Sequence, residues 1–389
     1  MMKTIYFNNA ILYSETDLIK EPVISIENNQ IMSIKTKSEV PSIDEEIKFN
    51  ESEPVAIVPG FIDIHIHGAA GADVMDGEKE ALQTMRTALP AEGTTSFLAT
   101  TITQQHEAKL QALKTIKNVI VQQDKRGADI LGVHLEGPFI SKKRAGAQPS
   151  EFIQQADNHL FQEFQEASGH HIKLVTMAPE EDPDGELISL LCEQQVIPSI
   201  GHSNATYDEV VKAIEKGMSQ VTHLFNGMKG VHHRDLGVAG AALLHDELMT
   251  ELIVDGIHVS PPMVKLAYKS KGADNIILIT DAMRAKGMAQ GESTLGGQKV
   301  IVNHDRATLE DGTLAGSILK MNNAIKNMMS YTGCSLKEAV QMASLNPAKQ
   351  LRIDDRKGSL AVGKDADFTV LSPAMTVLQT YVMGEKVFG

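Results

Sequence analysis

Residues 57–67 read IVPGFIDIHIH, an apolar run that ends in two histidines one residue apart. Side chains of a strand alternate between its faces, so Ile62, Ile64 and Ile66 share one side and Asp63, His65 and His67 the other. Seven further short apolar runs follow: TTSFLATT (94–101), ILGVHLEG (130–137), IKLVTMAP (172–179), VIPSIGH (196–202), QVTHLF (220–225), MTELIVD (249–255) and NIILITD (275–281). Segments of helical period separate them. In ATYDEVVKAIEKG (205–217), Val210, Val211 and Ile214 make an apolar stripe and Gly217 supplies a stop. SLKEAVQMASLNPAKQL (335–351) reads as another helix, opened by a capping box from Ser335 to Glu338. Eight strands alternating with helices are what a (β/α)8 TIM barrel requires, so the fold class is α/β.

Outside this run both chain ends change character. TIYFNNAIL (4–12), EPVISIENNQIMSIK (21–35) and EEIKFN (45–50) read as strands with no helix between them, as do KGSLAVGKDADFTVL (357–371) and TYVMGEKVF (380–388). A completed barrel leaves the last two without partners. The expected organisation is therefore a small β-sandwich built from 1–56 with 359–389, beside a barrel over 57–358. The glycine-rich stretch from Gly287 to Gly312 reads as a hairpin or flap inserted after the eighth strand.

With 42% hydrophobic and 22% charged residues, the 389-residue chain has ample apolar material for a large core. A net charge of −14 with no basic stripe repels nucleic acid and anionic membrane, so neither is an expected partner. The two cysteines, Cys192 and Cys334, exclude a disulfide framework and a thiolate zinc site. No stretch reaches the ~20 apolar residues of a membrane span, and no long apolar run follows the N-terminal lysine. The expected location is cytoplasmic.

His65 and His67 point one way from the end of the first barrel strand, on the face of a TIM barrel where function collects. Glu136, His202, His223 and Asp281 each place a ligand-type side chain at the end of a further strand. Imidazole and carboxylate together suit zinc, iron(II) and related divalent ions, and no structural need puts such residues at five strand ends. A bound ion lowers the pKa of water to near ~7 and so supplies hydroxide. Asp281 is placed to accept the water proton and pass it to a leaving nitrogen; service as a further metal ligand is the alternative, and the two coexist. His134 shares a face with Glu136 and is left open between an orienting role and an inward barrel histidine. A solvated loop pair is the plainer account of His232 and His233.

Through PGFIDIHIHG (59–68), NPAKQL (346–351) and KGSLAVGKDADFTVL the sequence resembles the amidohydrolase superfamily. Within it, LEGPF (135–139), GHSNA (201–205), THLFNGM (222–228) and TDAM (280–283) are similar to the N-acetylglucosamine-6-phosphate deacetylase family, over nearly the whole chain. The resemblance implies one or two divalent ions per subunit, zinc or iron, with Glu136, His202 and His223 on the main ion, His65 and His67 on a second, and Asp281 as acid/base. It implies substrate contacts from Asn226, Gly227, Ala147, Gln148, Leu314, Ala315 and Gly316, with Arg234 and His258 on the phosphate. It further implies a phosphorylated amino sugar as small-molecule substrate, a homodimer, some contacts from the neighbouring subunit, and a place in amino-sugar catabolism and cell-wall recycling.

Two departures stand out. The family's Gly-Ala-His is Gly146, Ala147, Gln148 here, and its Asn-Ala-Met is Asn226, Gly227, Met228. A cyclic-imide hydrolase or base deaminase would share the barrel, but the former bridges its metals with a lysine on the fourth strand, where this chain has LVTMAP (174–179). A scaffold that had lost its site would have replaced several ligands, and none is missing.

Overall fold

The computed structural model describes residues 2–124 and 126–389. Eight parallel strands form one sheet in chain order: Phe61–Ile66, Thr94–Thr101, Asp129–Glu136, Ile172–Met177, Ile197–Ile200, Gln220–Val221, Met249–Ile253 and Ile276–Ile279. Its two edges meet. The Asp281 N–H donates to His65 O (2.8 Å), the His67 N–H donates to Ala282 O (2.9 Å), and the Thr280 hydroxyl donates to Asp63 Oδ2 (2.5 Å). These bonds close the barrel, and its strands are buried on both faces because helices cover the outside.

The run 57–67 is two strands. Val55–Pro59 pairs with Ala10–Tyr13 and Phe368–Leu371 in an outer six-stranded sheet, and only after Gly60 does the chain enter the barrel. A Cβ on Gly60 would lie 2.2 Å from Thr95 Oγ1, so no other residue passes this crossing without displacing Thr95. The expected division at residue 57 thus falls inside a strand. Val55 and Ile57 face the core between the six-stranded sheet and a four-stranded sheet formed by Lys3–Asn8, Pro22–Glu27, Gln30–Thr36 and Glu45–Lys48; Ala56 and Val58 face the barrel's hydrophobic shell. Phe7, Phe368 and Tyr381 centre the sandwich core, the last two stacked at 4.3 Å.

Helix Tyr207–Glu215 begins with a capping box between Thr206 and Glu209, and buries Val210 and Ala213 more fully than Val211 or Ile214. The expected single helix over 335–351 is two, Leu336–Ala343 and Leu345–Gln350. Pro347 lacks an N–H and its ring would meet the carbonyl of Ala343, so the chain breaks at Ser344. The stretch after the eighth strand folds as three antiparallel strands, Gly291–Leu295, Gln298–Asn303 and Arg306–Thr308. Gly296 and Gly297 form its first turn with φ of 55° and 78°, the two left-handed residues that a type I′ hairpin demands. Leu295, Val300 and Val302 pin this flap to Ile102, Met283 and Ala315.

Candidate metal centre

Glu136 is the hub. Its Oε1 lies 3.2 Å from His202 Nε2, 3.2 Å from His223 Nε2 and 3.5 Å from His65 Nε2, and its Oε2 lies 3.2 Å from His67 Nε2. Asp281 Oδ1 lies 3.3 Å from His67 Nε2 and 3.5 Å from His65 Nε2. All six side chains are buried or nearly so, Asp281 least. Three of the six, His202 (φ 46°), His223 (φ 33°) and Asp281 (φ 47°), occupy the left-handed region just past their strands. Such backbone costs on the order of 1 kcal/mol per residue and persists where the surroundings force it, most often at functional sites.

Hydrogen bonds behind two of the imidazoles fix which of their ring nitrogens are bare. His202 Nδ1 donates to Arg144 O (2.8 Å) and His65 Nδ1 donates to Glu251 Oε2 (3.0 Å), because a carbonyl or carboxylate only accepts. In the neutral rings the Nε2 lone pairs therefore face carboxylate oxygens, acceptor against acceptor. A cation between them resolves the conflict. Protons resolve it too: burial opposes charge on His67, but Asp281 and Glu136 outweigh it and raise its pKa to about 9. Burial likewise works against Asp281, yet His65 and His67 hold it down to about 2. A centre that stabilises extra positive charge in this way suits a divalent ion, and Glu136, His202, His223 on one side and His65, His67, Asp281 on the other form two groups with converging donor atoms.

Five of these residues floor a cavity of about 230 Å³. His67, Glu136, His202, His223, Asp281, Ala147, Gln148, Asn226, Gly227, His258, Leu314 and Gly316 line it; His65 lies beneath, and Ala315 turns into the flap's apolar cluster. Arg234 does not reach it. That side chain is exposed on the loop after the sixth strand, with Nη1 2.8 Å from His233 Nε2. His258 is held by Asp255, whose Oδ2 accepts from its Nδ1 at 2.6 Å and whose Oδ1 accepts from the Ile257 and His258 N–H groups. His134 bonds Thr176 Oγ1 (2.7 Å) and Ile64 O (3.2 Å), and burial pushes its pKa well down.

Sequence reasoning missed Glu251, which is fully buried, holds His65, and accepts from Gln220 Nε2 (2.7 Å) and the His223 N–H (3.2 Å). A lone carboxylate inside the apolar run MTELIVD was the available signal. Asp255 was missed likewise, and the Arg144 carbonyl leaves no trace in residue type. Among the described residues no helix is long and apolar enough to cross a membrane.

The profile of the amidohydrolase family matches residues 56–387. The chain is 45% identical over 390 residues to N-acetylglucosamine-6-phosphate deacetylase of Bacillus subtilis (strain 168), covering 100% of this chain and 98% of that protein. The crystal structure of N-acetylglucosamine-6-phosphate deacetylase from Pasteurella multocida superposes with a TM-score of 0.92 at 33% identity, over 100% of both chains. A mutant of the Mycobacterium smegmatis N-acetyl-D-glucosamine-6-phosphate deacetylase, solved in complex with N-acetyl-D-glucosamine-6-phosphate, superposes with a TM-score of 0.92 at 27% identity, again over 100% of both. The chain belongs to the amidohydrolase family, a family of metal-dependent enzymes, and within it to the N-acetylglucosamine-6-phosphate deacetylases.

Proposed function

We propose that the chain removes the acetyl group from N-acetylglucosamine 6-phosphate, giving glucosamine 6-phosphate and acetate. The observation that carries this reading is the meeting of six ligand-type side chains, from five strand ends, at or just beneath the floor of one cavity of about 230 Å³, the scale of a single sugar ring. Relatives along the whole chain support the choice of substrate.

Glu136, His202 and His223 would hold one divalent ion, zinc or iron, and His65 and His67 would hold another. When bound, such an ion supplies Lewis acidity that polarises the amide carbonyl and makes water a nucleophile near neutral pH. Asp281 then takes the proton of the attacking water and returns it to the leaving nitrogen. Its main chain is tied on both sides, the N–H to His65 O and the carbonyl to the Ser317 N–H (2.7 Å), which fixes the carboxylate at the cavity wall. Asn226, Gly227, Ala147 and the Leu314–Gly316 segment supply donors and acceptors to the sugar. His258, with Nδ1 committed to Asp255, presents Nε2.

No lysine or arginine among the described residues lines the cavity. A phosphate dianion approaching a chain of net charge −14 nevertheless needs a local cation. We assign that cation to Arg234, working from its exposed loop in the partner subunit's site within a cytoplasmic homodimer; its planar fork suits two phosphate oxygens at once. The test is acetate release from a panel of phosphorylated and unphosphorylated N-acetyl amino sugars, including the gluco and galacto 6-phosphates. The expected result is the highest kcat/KM on N-acetylglucosamine 6-phosphate. Preference for an unphosphorylated sugar, or no acetate from any, would overturn the assignment.

A further inference from the structure

A larger cavity, about 1030 Å³, lies at the opposite end of the barrel, against the small β unit. Ile120, Leu131, Leu351 and Ile353 give it a partly exposed apolar floor, and His170, His171, Lys173, Gln195 and Arg352 stand around it. Its wall is stiff: Gln123 and Gln165 each clamp the start of a strand, accepting from the Ile130 N–H (2.9 Å) and the Ile172 N–H (3.1 Å).

The backbone around it is unusual. A chain leaving a helix commonly passes through one left-handed residue, which glycine adopts without strain. Gly93 (φ 86°), Gly217 (φ 112°), Gly272 (φ 67°) and Gly333 (φ 80°) do so after other helices of this fold. After helix Asn158–Ala167 the usual glycine, Gly169 (φ 66°), is followed by a second left-handed residue, His170 (φ 64°), and after helices Glu186–Glu193 and Leu345–Gln350 the left-handed residues are Gln195 (φ 59°) and Arg352 (φ 58°). All three side chains line this one cavity. Strain accepted at three turns for long polar side chains that share a site is the pattern expected of a binding function rather than of folding.

Charge points the same way. On this wall Arg356 pairs with Asp129 (3.7 Å) and Asp365 (3.5 Å). No carboxylate among the described residues makes an ion pair with His170, His171, Lys173 or Arg352. Burial first, then the neighbouring Lys173, Lys117 and His170, push the His171 pKa down.

We propose that this cavity binds a nucleoside phosphate, with the phosphate on Arg352, Lys173 and His171 and the nucleoside over Ile120, Leu131, Leu351 and Ile353. An inorganic ion would leave the apolar floor and most of the volume unused. The site is independent of the deacetylase assignment, because its residues lie at the end of the barrel away from Glu136.

Calorimetric titration of the metal-loaded full chain with ADP, adenosine and inorganic phosphate tests it. One ADP per chain is expected, with adenosine and phosphate each at least about tenfold weaker. Lys173→Glu combined with Arg352→Glu should weaken ADP by about a hundredfold and leave acetate release unchanged. Arg352→Gly separates binding from folding: it relieves the left-handed strain, so Tm should hold or rise while ADP affinity falls. The proposal fails if ADP does not bind by about 1 mM, if phosphate binds as well as ADP, or if the charge-reversed variant binds ADP as wild type does. A lower Tm for Arg352→Gly would also overturn it, by making Arg352 a structural residue.

Discussion

Gln148 donates from Nε2 to Glu136 Oε2 at 2.7 Å, and its own Oε1 is held by the Thr103 N–H at 2.9 Å. The second bond fixes which end of the amide meets the carboxylate. Glu136 is thereby turned so that Oε1 faces His202 and His223 while Oε2 faces His67. Gln148→Leu should weaken metal binding by roughly 10–100-fold, the scale of losing a group that orients a ligand. Chelator competition on the folded apoprotein reads this directly. Unchanged metal affinity with a raised KM would make Gln148 a substrate contact only.

Asp281→Asn should fold and keep its metal, because five other ligand-type groups remain. Turnover should fall by ~10²-fold or more, as expected when a positioned acid/base is lost. Metal analysis and kcat measured on one preparation distinguish this from a loss of metal.

His65 and His67 come from one strand, apart from the group formed by Glu136, His202 and His223. Replacing both by Ala should leave one divalent ion per chain in elemental analysis. A fall to none would mean that the two groups do not bind separately.

Arg234→Ala should lower kcat/KM on the phosphorylated sugar by ~10²-fold, equivalent to a charged contact of ~2–3 kcal/mol, and change activity on the unphosphorylated sugar little. If the residue serves the partner's site, mixing this variant with Asp281→Asn restores one intact site in each hybrid dimer. Random exchange should then recover about a quarter of wild-type activity. No recovery would return Arg234 to its own subunit.

Lys357 is buried at the junction of the β-sandwich and the barrel, with Nζ 2.5 Å from Asp367, 3.2 Å from Asp365 and 3.5 Å from Asp129. Burial disfavours its charge, but the three carboxylates outweigh that and raise its pKa above the ordinary 10.5. A base with a raised folded pKa stabilises below its unfolded value, so wild type should keep this contribution at neutral pH and lose it only in strong alkali. Lys357→Met leaves Asp367 without an ion pair and Asp129 and Asp365 with Arg356 alone, and should cost ~3–5 kcal/mol at pH 7.5. Because those carboxylates can then protonate, the gap in Tm from wild type should narrow as pH falls toward 4. A gap independent of pH would mean that lost packing, not charge, sets the cost.

Much of the centre was legible in the sequence because strand alternation and strand termini are local properties: His65, His67, Glu136, His202, His223 and Asp281 follow from eight apolar runs alone. What supports them was less so. Glu251 meets His65 across 186 residues of chain, and a backbone carbonyl such as that of Arg144 carries no signature in residue type. The run 57–67 looked continuous because both of its halves are buried on both faces. The exposed placement of Arg234 also lay beyond reach, since a loop's position depends on packing that residue order does not encode.

Strand Val55–Pro59 sets its alternate side chains into two different cores. Residues 55 and 57 answer to one neighbourhood, residues 56 and 58 to another, and Gly60 forbids slippage between them. A shift of one position would exchange the two sets and spoil both interiors. The barrel therefore has no clean seam on this side. In evolutionary terms it can be transplanted only with this strand attached, and in mechanical terms the strand ties the sandwich to His65 and His67, which follow its last residue by six and eight positions.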